Sequence, residues 1–594
     1  MHKLLQYPFN SQKILSMRKK IRRELLNSDA SFIQKKIAIL GGSTTHDIRD
    51  MMELFLLDNG ISATFYESEY GQYWTDAMFG TPKLVEFNPD IIFIHTSNRN
   101  ILKYPEPDNS IDYVNQLLDE EYGRFVSMWD KLSTDFNCPI IQNNFEYPFW
   151  RLMGNADVSL ASGRVNYITR LNLKFAEYAQ THDGFYINDI NWLSADYGLE
   201  AWSEPFYWYM YKYALAVPAI PKLSQSVANI TKSIFGKNKK AFAIDLDNTL
   251  WGGIVGDDGA ENIQIGSETS IGQAYFEFQE YIKAHKKLGI LLNIISKNEE
   301  ENALAGLNRA ENALHAEDFV AIKANWEPKS DNLQNIINEL DLLPESFVFI
   351  DDNPAEREII NQTLKNVQTP EITKPEKYIT AIDRAGYFEL TSFTKEDLAR
   401  FEQYKNNIER NKLQTAFTDY DEYLRSLEMV AKIKPFEQMY ISRIAQLTNK
   451  SNQFNLTTLR CTQKEIEEFA TDSRYITLSG RLKDKFGDNG IVSVVMADIK
   501  ESTELSLHIR LWLMSCRVLK RDFEYAMIDE LVRAAKKQNI YKIYGYYYPT
   551  QKNAMVSDFY DKLGFVKLSD EEWVLDISQG YENKQNIIEV KGSE

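Results

Sequence analysis

"AFAIDLDNTLWGG", residues 241–253, starts as an apolar strand and ends in two aspartates one residue apart, a threonine and a glycine pair. The apolar run reads as a buried strand, and the polar run as the loop at its carboxyl end, the edge at which open α/β sheets bind ligands. Residues i and i+2 project the same way while a strand persists, so Asp245 and Asp247 can face one pocket. Two carboxylates that close repel, so one holds a proton or a cation sits between them. Mg²⁺ suits such an all-oxygen site, above all if the substrate brings a phosphate.

Three further pieces follow in order. "LLNIISKN" (291–298) ends a strand in Ser296, a hydroxyl able to hold a phosphate oxygen. "NWEPKSDNLQNIINEL" (325–340) puts Lys329 at a helix start, where ammonium and helix dipole both favour an anion. "SFVFIDDNPAERE" (346–358) ends another strand in Asp351 and Asp352, further candidates for Mg²⁺. Any one of these is a common surface feature; four in this order describe one phosphoryl site.

The rest of the chain bounds the setting. A length of 594 residues implies several domains. A net charge of −18 argues against a general nucleic-acid binder. Apolar runs such as "IIFI" (91–94) and "ILLNII" (290–295) are too short to cross a membrane, and no signal peptide is visible. Three cysteines, Cys138, Cys461 and Cys516, form no CxxC pair, so free thiols and a cytoplasmic setting are expected.

The expected fold class is α/β and multidomain. The expected segments are an N-terminal helix (1–30) with a solvated basic face, an α/β domain (31–222), a second α/β domain (238–372), a charged helical connector (373–430), a mixed α+β domain (431–577) and a frayed tail (578–594).

The central constellation closely resembles the haloacid dehalogenase (HAD) superfamily of aspartyl-nucleophile phosphatases. That resemblance implies a Rossmann-like domain in which Asp245 attacks phosphorus and Asp247 protonates the leaving group, then activates water. It also implies that Thr249, Ser296 and Lys329 bind phosphate. Asp245, Asp247 (through its backbone carbonyl), Asp351 and Asp352 would hold Mg²⁺. "LDNTLWGGIVGDDG" with "FIDDNPAERE", and downstream "NKSNQFNLTTLR" and "LWLMSCRVLKR", resembles the FkbH-like branch (subfamily IIIC), which loads a glyceryl unit onto an acyl carrier protein. The "WGG" reads as the start of a short flap in place of a large cap.

"NAMVSDFYDKLGFVKL" (553–568) resembles the late helix and strand of GNAT-type acyltransferases, with Asn553, Tyr560 and Gly564 in place. Lys520 and Asp522 stand where that fold has small glycines, so phosphate contact would fall to side chains such as Arg517. Asn452, Gln453 and Asn455 are candidate ligands for an acyl phosphate or pantetheine, as are Arg517, Asn553 and Tyr560. Cys516, beside basic residues at a strand-to-helix junction, is the expected acyl nucleophile. Cys461 is its alternative, with Cys138 structural and His508 read as a satisfied strand histidine. Arg510, Arg517, Lys520 and Arg521 are the expected basic surface for an acidic carrier.

"ILGGSTTHD" (39–47) resembles the first block of SGNH-type hydrolases, with Ser43, and "IHTSNRN" (94–100) their asparagine block, with Asn98. The late Asp-x-x-His is "DINW", ending in Trp192, and neither His46 nor His182 has spacing that replaces the histidine. The expectation is a degenerate domain that positions a partner.

Together these readings imply a cytoplasmic glyceryl transferase and phosphatase acting on 1,3-bisphosphoglycerate, with a carrier protein in trans. The alternatives are a phosphatase or acyltransferase on another phosphorylated precursor in polysaccharide or secondary-metabolite synthesis, or a carrier-binding scaffold.

Overall fold

The computed structural model describes residues 2–28, 32–451, 453–501, 504–550 and 552–591, without the side chains of residues 395 and 396. The backbone divides into two units, residues 1–237 with 389–391, and residues 238–388 with 392–594.

In the first unit, five apolar runs form a wholly parallel sheet. The strands are β1 (Ile33–Gly41), β2 (Ile61–Glu67), β3 (Ile91–His95), β4 (Ile140–Asn143) and β5 (Phe185–Asn188), in the order β2-β1-β3-β4-β5. Alternation sends Ile37 and Ile39 into one core and Ala38 and Leu40 into the other, so both faces are covered, as a parallel sheet requires. Helix Ser11–Leu26 buries Ile14, Ile21 and Leu25 in the first core beside helices His46–Asp58 and Ile220–Ile234. The N-terminal helix is therefore part of this unit, and the unit runs past residue 222, because the apolar stripe of Ile220–Ile234 completes its core.

The second unit holds two sheets. Strands β6 (Ala241–Ile244), β7 (Leu291–Ser296), β8 (Ala321–Ala324) and β9 (Phe347–Ile350) form a parallel sheet ordered β8-β7-β6-β9. With β6 central, the carboxyl ends of β7 and β9 flank the "DLDNT" loop. The other sheet is mixed. Its strands are β10 (Val430–Lys434), β11 (Phe454–Asn455), β12 (Tyr475–Asp484), β13 (Gly487–Glu501), β14 (Leu505–Met514), β15 (Lys542–Tyr546), β16 (Val566–Lys567), β17 (Glu572–Asp576) and β18 (Glu589–Val590). They run β16-β17-β15-β14-β13-β12-β10-β18. Strands β14 and β15 pair in parallel only over Ser506–His508 and Lys542–Tyr544; further along, β11 takes over β14 at Leu513 and Met514.

Two expectations change here. The tail does not fray throughout, since β18 pairs with β10 and Ile588 is buried. The expected connector belongs to the packed unit: Tyr378 and Ile382 are buried on helix Pro375–Asp383, which packs on helix Ser270–Lys287. Helix Arg400–Gln414 puts Phe401 and Tyr404 into the core of the β6–β9 sheet and Leu413 against the core of the mixed sheet. Among the described residues, no helix is long and apolar enough to cross a membrane.

Candidate active site

Asp245 follows β6 directly, and its backbone N–H donates to the carbonyl of Ile350 at the end of β9. That bond fixes the Asp245 backbone beside Asp351, which begins the next loop. The Lys329 ammonium fills the space between the two acids, 2.9 Å from Asp245 Oδ1 and 2.7 Å from Asp351 Oδ2. All three side chains are nearly buried. Asp352 joins them: one carboxylate oxygen from each of Asp245, Asp351 and Asp352 lies within 4.8 Å of the others.

The loops that hold these acids are tied down. Thr249 Oγ1 accepts from the Asp352 N–H at 3.1 Å, and Asp351 Oδ1 accepts from the Asn353 N–H at 2.8 Å. Arg357 donates to the carbonyls of Asp351 and Asp352. Tyr275 and Tyr378 both donate to the carbonyl of Asn248, whose φ of 54° lets the loop turn sharply.

Burial pushes the Asp245 carboxyl up to about 7 against the opposing pull of Lys329, and Asp351 adds to the rise. Asp352 is raised for the same reasons, burial first and Asp351 second. Burial works against the Lys329 ammonium, but Asp245 and Asp351 outweigh it and hold its pKa above the usual lysine value. Three acids against one ammonium leave the cluster short of positive charge. Asp245 Oδ1 is buried against the Lys329 ammonium, its close partner among the described residues. A hard divalent cation bound by oxygen fits that donor set.

Asp247 sits differently. Its Oδ1 accepts from Trp251 Nε1 at 2.9 Å and the Val255 N–H at 3.0 Å, and its Oδ2 from Asn298 Nδ2 at 2.8 Å. Its carboxylate thus stands outside the three-acid cluster, held by the segment that begins with "WGG". Asn298 also donates to Ser296 Oγ at 3.2 Å, which links the hydroxyl at the end of β7 to Asp247. Sequence reasoning missed Asn298 and Trp251, although both lie inside the quoted stretches. Thr249, expected to bind phosphate, is fully buried, and its hydroxyl secures the Asp352 loop.

Cys516 follows β14 and opens a short turn, Cys516–Val518; the next helix begins only at Phe523. Its Sγ lies 3.3 Å from the Tyr404 hydroxyl and packs against the core of the β6–β9 sheet. It is a charge neighbour of half-buried Lys240, the residue before β6. Asp245 is at the other end of that strand, five residues and ~16 Å further along at ordinary strand rise. Cys461 and Cys138 are pushed up to about 12 by burial, as inert thiols are.

The expected pantetheine ligands are drawn into the structure itself. Asn455 pairs in β11, Leu456 donates to the Trp512 carbonyl, and the Tyr548 N–H donates to the Leu456 carbonyl. Residues 454–456 thus fill the gap between β14 and the end of β15. Asn553 is fully buried and donates to the carbonyls of Asn455 and Tyr548, closing the same gap. Tyr560 is buried with its ring against Gly545, where any Cβ would collide with it. Gln453 is half-buried, and Asn452 lies outside the described residues. Arg517 is buried between Gln403 and Ser515, Arg521 pairs with Asp484, and Arg510 pairs with Asp498. Arg517 and Arg521 are thereby buried and withdrawn from the expected basic docking surface, while Arg510 and Lys520 stay exposed. His508 bridges Ser506 and Tyr546, a satisfied strand histidine.

In the first unit, Ser43 is buried on the loop after β1, and among the described residues its hydroxyl has no partner. Asn98 donates to the carbonyls of Glu146 and Tyr147. His182 stacks on Tyr178 just before β5, at the opposite edge of the sheet, and the His46 side chain is exposed. The Trp192 backbone N–H donates to Asp189 Oδ1, and the residue is 43% exposed. Neither histidine serves Ser43.

Residues 36–232 match the family model described as FkbH, N-terminal domain. Among solved structures, the chain is similar to the N-terminal part of BF1531 from Bacteroides fragilis, which contains a phosphatase domain complexed with Mg. The match is 30% identical with a TM-score of 0.59, covering 63% of this chain and 99% of that one. The ribosomal-protein-S18-alanine N-acetyltransferase of Escherichia coli matches at 12% identity, TM-score 0.21, over 26% of this chain and 100% of its own. A GNAT-family acetyltransferase of Streptococcus pneumoniae matches at 14%, TM-score 0.20, over 24% and 96%. No curated protein matches. A buried aspartate at the end of a central parallel strand, a lysine bridging it to a second strand-end aspartate, and the match along nearly all of the BF1531 fragment agree: the chain belongs to the FkbH-like phosphatases of the haloacid dehalogenase superfamily.

Proposed function

We propose that the chain removes phosphate from a small phosphorylated acyl group through Asp245. We further propose that the acyl group is a glyceryl unit, taken from 1,3-bisphosphoglycerate and delivered to an acyl carrier protein in trans. The observation that carries the phosphatase step is the pairing of buried Asp245 with Lys329 beside Asp351 and Asp352. The glyceryl and carrier assignments rest on the family resemblance.

Asp245 attacks phosphorus as the ester P–O bond breaks, and Asp247 gives the leaving oxygen its proton. Water then attacks the aspartyl phosphate, Asp247 takes the water's proton, and the break between Asp245 and phosphorus releases inorganic phosphate. Trp251, Val255 and Asn298 orient Asp247 for both transfers. Lys329 and Ser296 balance the charge that builds on the phosphoryl oxygens. Asp245, Asp351 and Asp352, with the backbone carbonyl of Asp247, would hold Mg²⁺, which supplies further charge neutralisation there.

In the acyl step, the Cys516 thiolate attacks the acyl-phosphate carbonyl and expels phosphate; the carrier thiol then attacks the thioester and frees Cys516. With Cys516 beside Lys240, which precedes β6, and Asp245 after the other end of that strand, a substrate carried between them on a mobile arm is favoured. Phosphate release from phosphoglycerates, with and without Mg²⁺, tests the phosphatase step. No release from any of them by the wild-type chain would overturn it.

A further inference from the structure

The strand order of the first unit reverses between β1 and β3, which opens a cleft at the carboxyl edge of the sheet. The residues that gather at that edge are unusual in chemistry. The Asn98–Arg99 turn follows β3; Phe149 and Trp150 follow β4; helix Arg164–Thr181 starts there. A seven-residue helix, Pro205–Tyr211, adds an aromatic run with no buried residue. It is tied to the Ser43 loop through Thr44, whose hydroxyl donates to the Tyr211 carbonyl at 2.7 Å and whose N–H donates to the Lys212 carbonyl at 3.0 Å.

Two guanidinium groups are clamped in this aromatic rim. Arg99 lies 4.4 Å from the Trp208 ring and 5.7 Å from the Phe149 ring. Arg164 lies 4.3 Å from the Trp150 ring and 4.7 Å from the Tyr104 ring. The two clamps adjoin, since Phe149 and Trp150 are consecutive and the Tyr104 hydroxyl donates to the Asn98 carbonyl at 2.7 Å. Neither guanidinium has a hydrogen-bond acceptor or an ion-pair partner among the described residues. That is notable in a chain with 85 acidic residues. Glu146, the acid whose field Arg99 feels most, is buried and keeps its proton to about 7, so it competes weakly. A second signal comes from the adjoining loop: Ser43 is 97% buried, and its hydroxyl has no partner among the described residues. Leaving such a group unmade costs free energy unless a ligand completes it.

We propose that this cleft binds a phosphate-bearing organic ligand. Its phosphate is held by the forks of Arg99 and Arg164, its organic body lies on the aromatic rim, and a polar group reaches Ser43. Stacked guanidinium groups present their edge donors in fixed geometry, and two of them match the charge and the several acceptor oxygens of a phosphate better than a single carboxylate. The ligand is either a free phosphorylated metabolite or the phosphorylated pantetheine arm of a carrier. The site is independent of Asp245.

Binding is read by titration calorimetry and tryptophan fluorescence, because Trp150 and Trp208 touch the two arginines. The full-length Asp245→Asn chain serves as background, so that failure of the phosphatase reading is not mistaken for failure here. The probes are 4′-phosphopantetheine and 3-phosphoglycerate, each beside its phosphate-free counterpart, pantetheine or glycerate. At least one phosphorylated probe is expected to bind, at least tenfold more tightly than its counterpart. Arg99→Ala and Arg164→Ala should each weaken it tenfold or more. Should either alanine variant misfold, Arg99→Lys and Arg164→Lys carry the test, with severalfold weakening as the fork is lost. The better phosphorylated probe identifies the source. Equal binding of the phosphate-free counterparts, unchanged affinity in folded arginine variants, or no binding of either phosphorylated probe overturns the proposal.

Discussion

Lys329 Nζ lies 2.9 Å from Asp245 Oδ1 while the same ammonium reaches 2.7 Å to Asp351 Oδ2. One lysine thus spans the ends of two adjacent strands, β6 and β9, and is the internal counter-charge of the site. Replacing it with methionine leaves buried carboxylates uncompensated. Lys329→Met should lower stability by about 3 kcal/mol in metal-free buffer, and phosphatase kcat by a hundredfold or more. Mg²⁺ should restore part of the stability. Thermal melts with and without Mg²⁺ check this, and a variant as stable as wild type without metal would contradict it.

Asn298 holds the Asp247 oxygen opposite the one that Trp251 and Val255 hold. Asn298→Ala should let the carboxyl swing and cut kcat on the order of tenfold to a hundredfold with little change in KM. Steady-state kinetics separate the two. A rise in KM alone would make Asn298 a substrate ligand.

Cys516 neighbours Lys240, the residue before β6, whereas Asp245 follows the other end of that strand, so the acyl group on Cys516 should be out of reach of the phosphatase site. Intact-protein mass spectrometry with 1,3-bisphosphoglycerate and no carrier should show an adduct that retains its phosphate and is absent from Cys516→Ala. With carrier present, the carrier-bound group should appear dephosphorylated with the wild-type chain and phosphorylated with Asp245→Asn. A dephosphorylated Cys516 adduct without carrier would show that the two centres meet.

Glu146 is 1% exposed, and burial raises its carboxyl from 4.5 to about 7. Between those values the folded chain holds a proton that the unfolded chain has lost, so stability falls as pH rises through that window, by about 3 kcal/mol in full. Glu146→Gln removes this term. The variant should match wild type near pH 4 and exceed it by up to about 3 kcal/mol near pH 8, by denaturant unfolding. Parallel curves at all pH values would show an ordinary carboxyl.

Much of the candidate site was legible in the sequence because each acid ends an apolar run, and a parallel sheet brings strand ends together. Asp245, Ser296 and Asp351 needed only that rule, and Lys329 the helix start that follows β8. The division of labour among neighbours did not follow from it. Thr249 and Asp247 sit in the same loop, yet one braces Asp352 and the other faces Trp251 and Asn298, a choice made by loop geometry. The basic run "CRVLKR" misled for a related reason. Its arginines look free in one dimension but meet Gln403 and Asp484 from distant segments. The stacking of Arg99 and Arg164 was equally invisible, since the rings that clamp them come from several separate loops and helices.

Mg²⁺-dependent phosphate release by the wild-type and Asp245→Asn chains, side by side on the same phosphoglycerate, bears most directly on the central assignment. Wild-type release that requires Mg²⁺ and falls at least a thousandfold in the variant is the expected result. Release that persists undiminished in Asp245→Asn would remove Asp245 as the nucleophile.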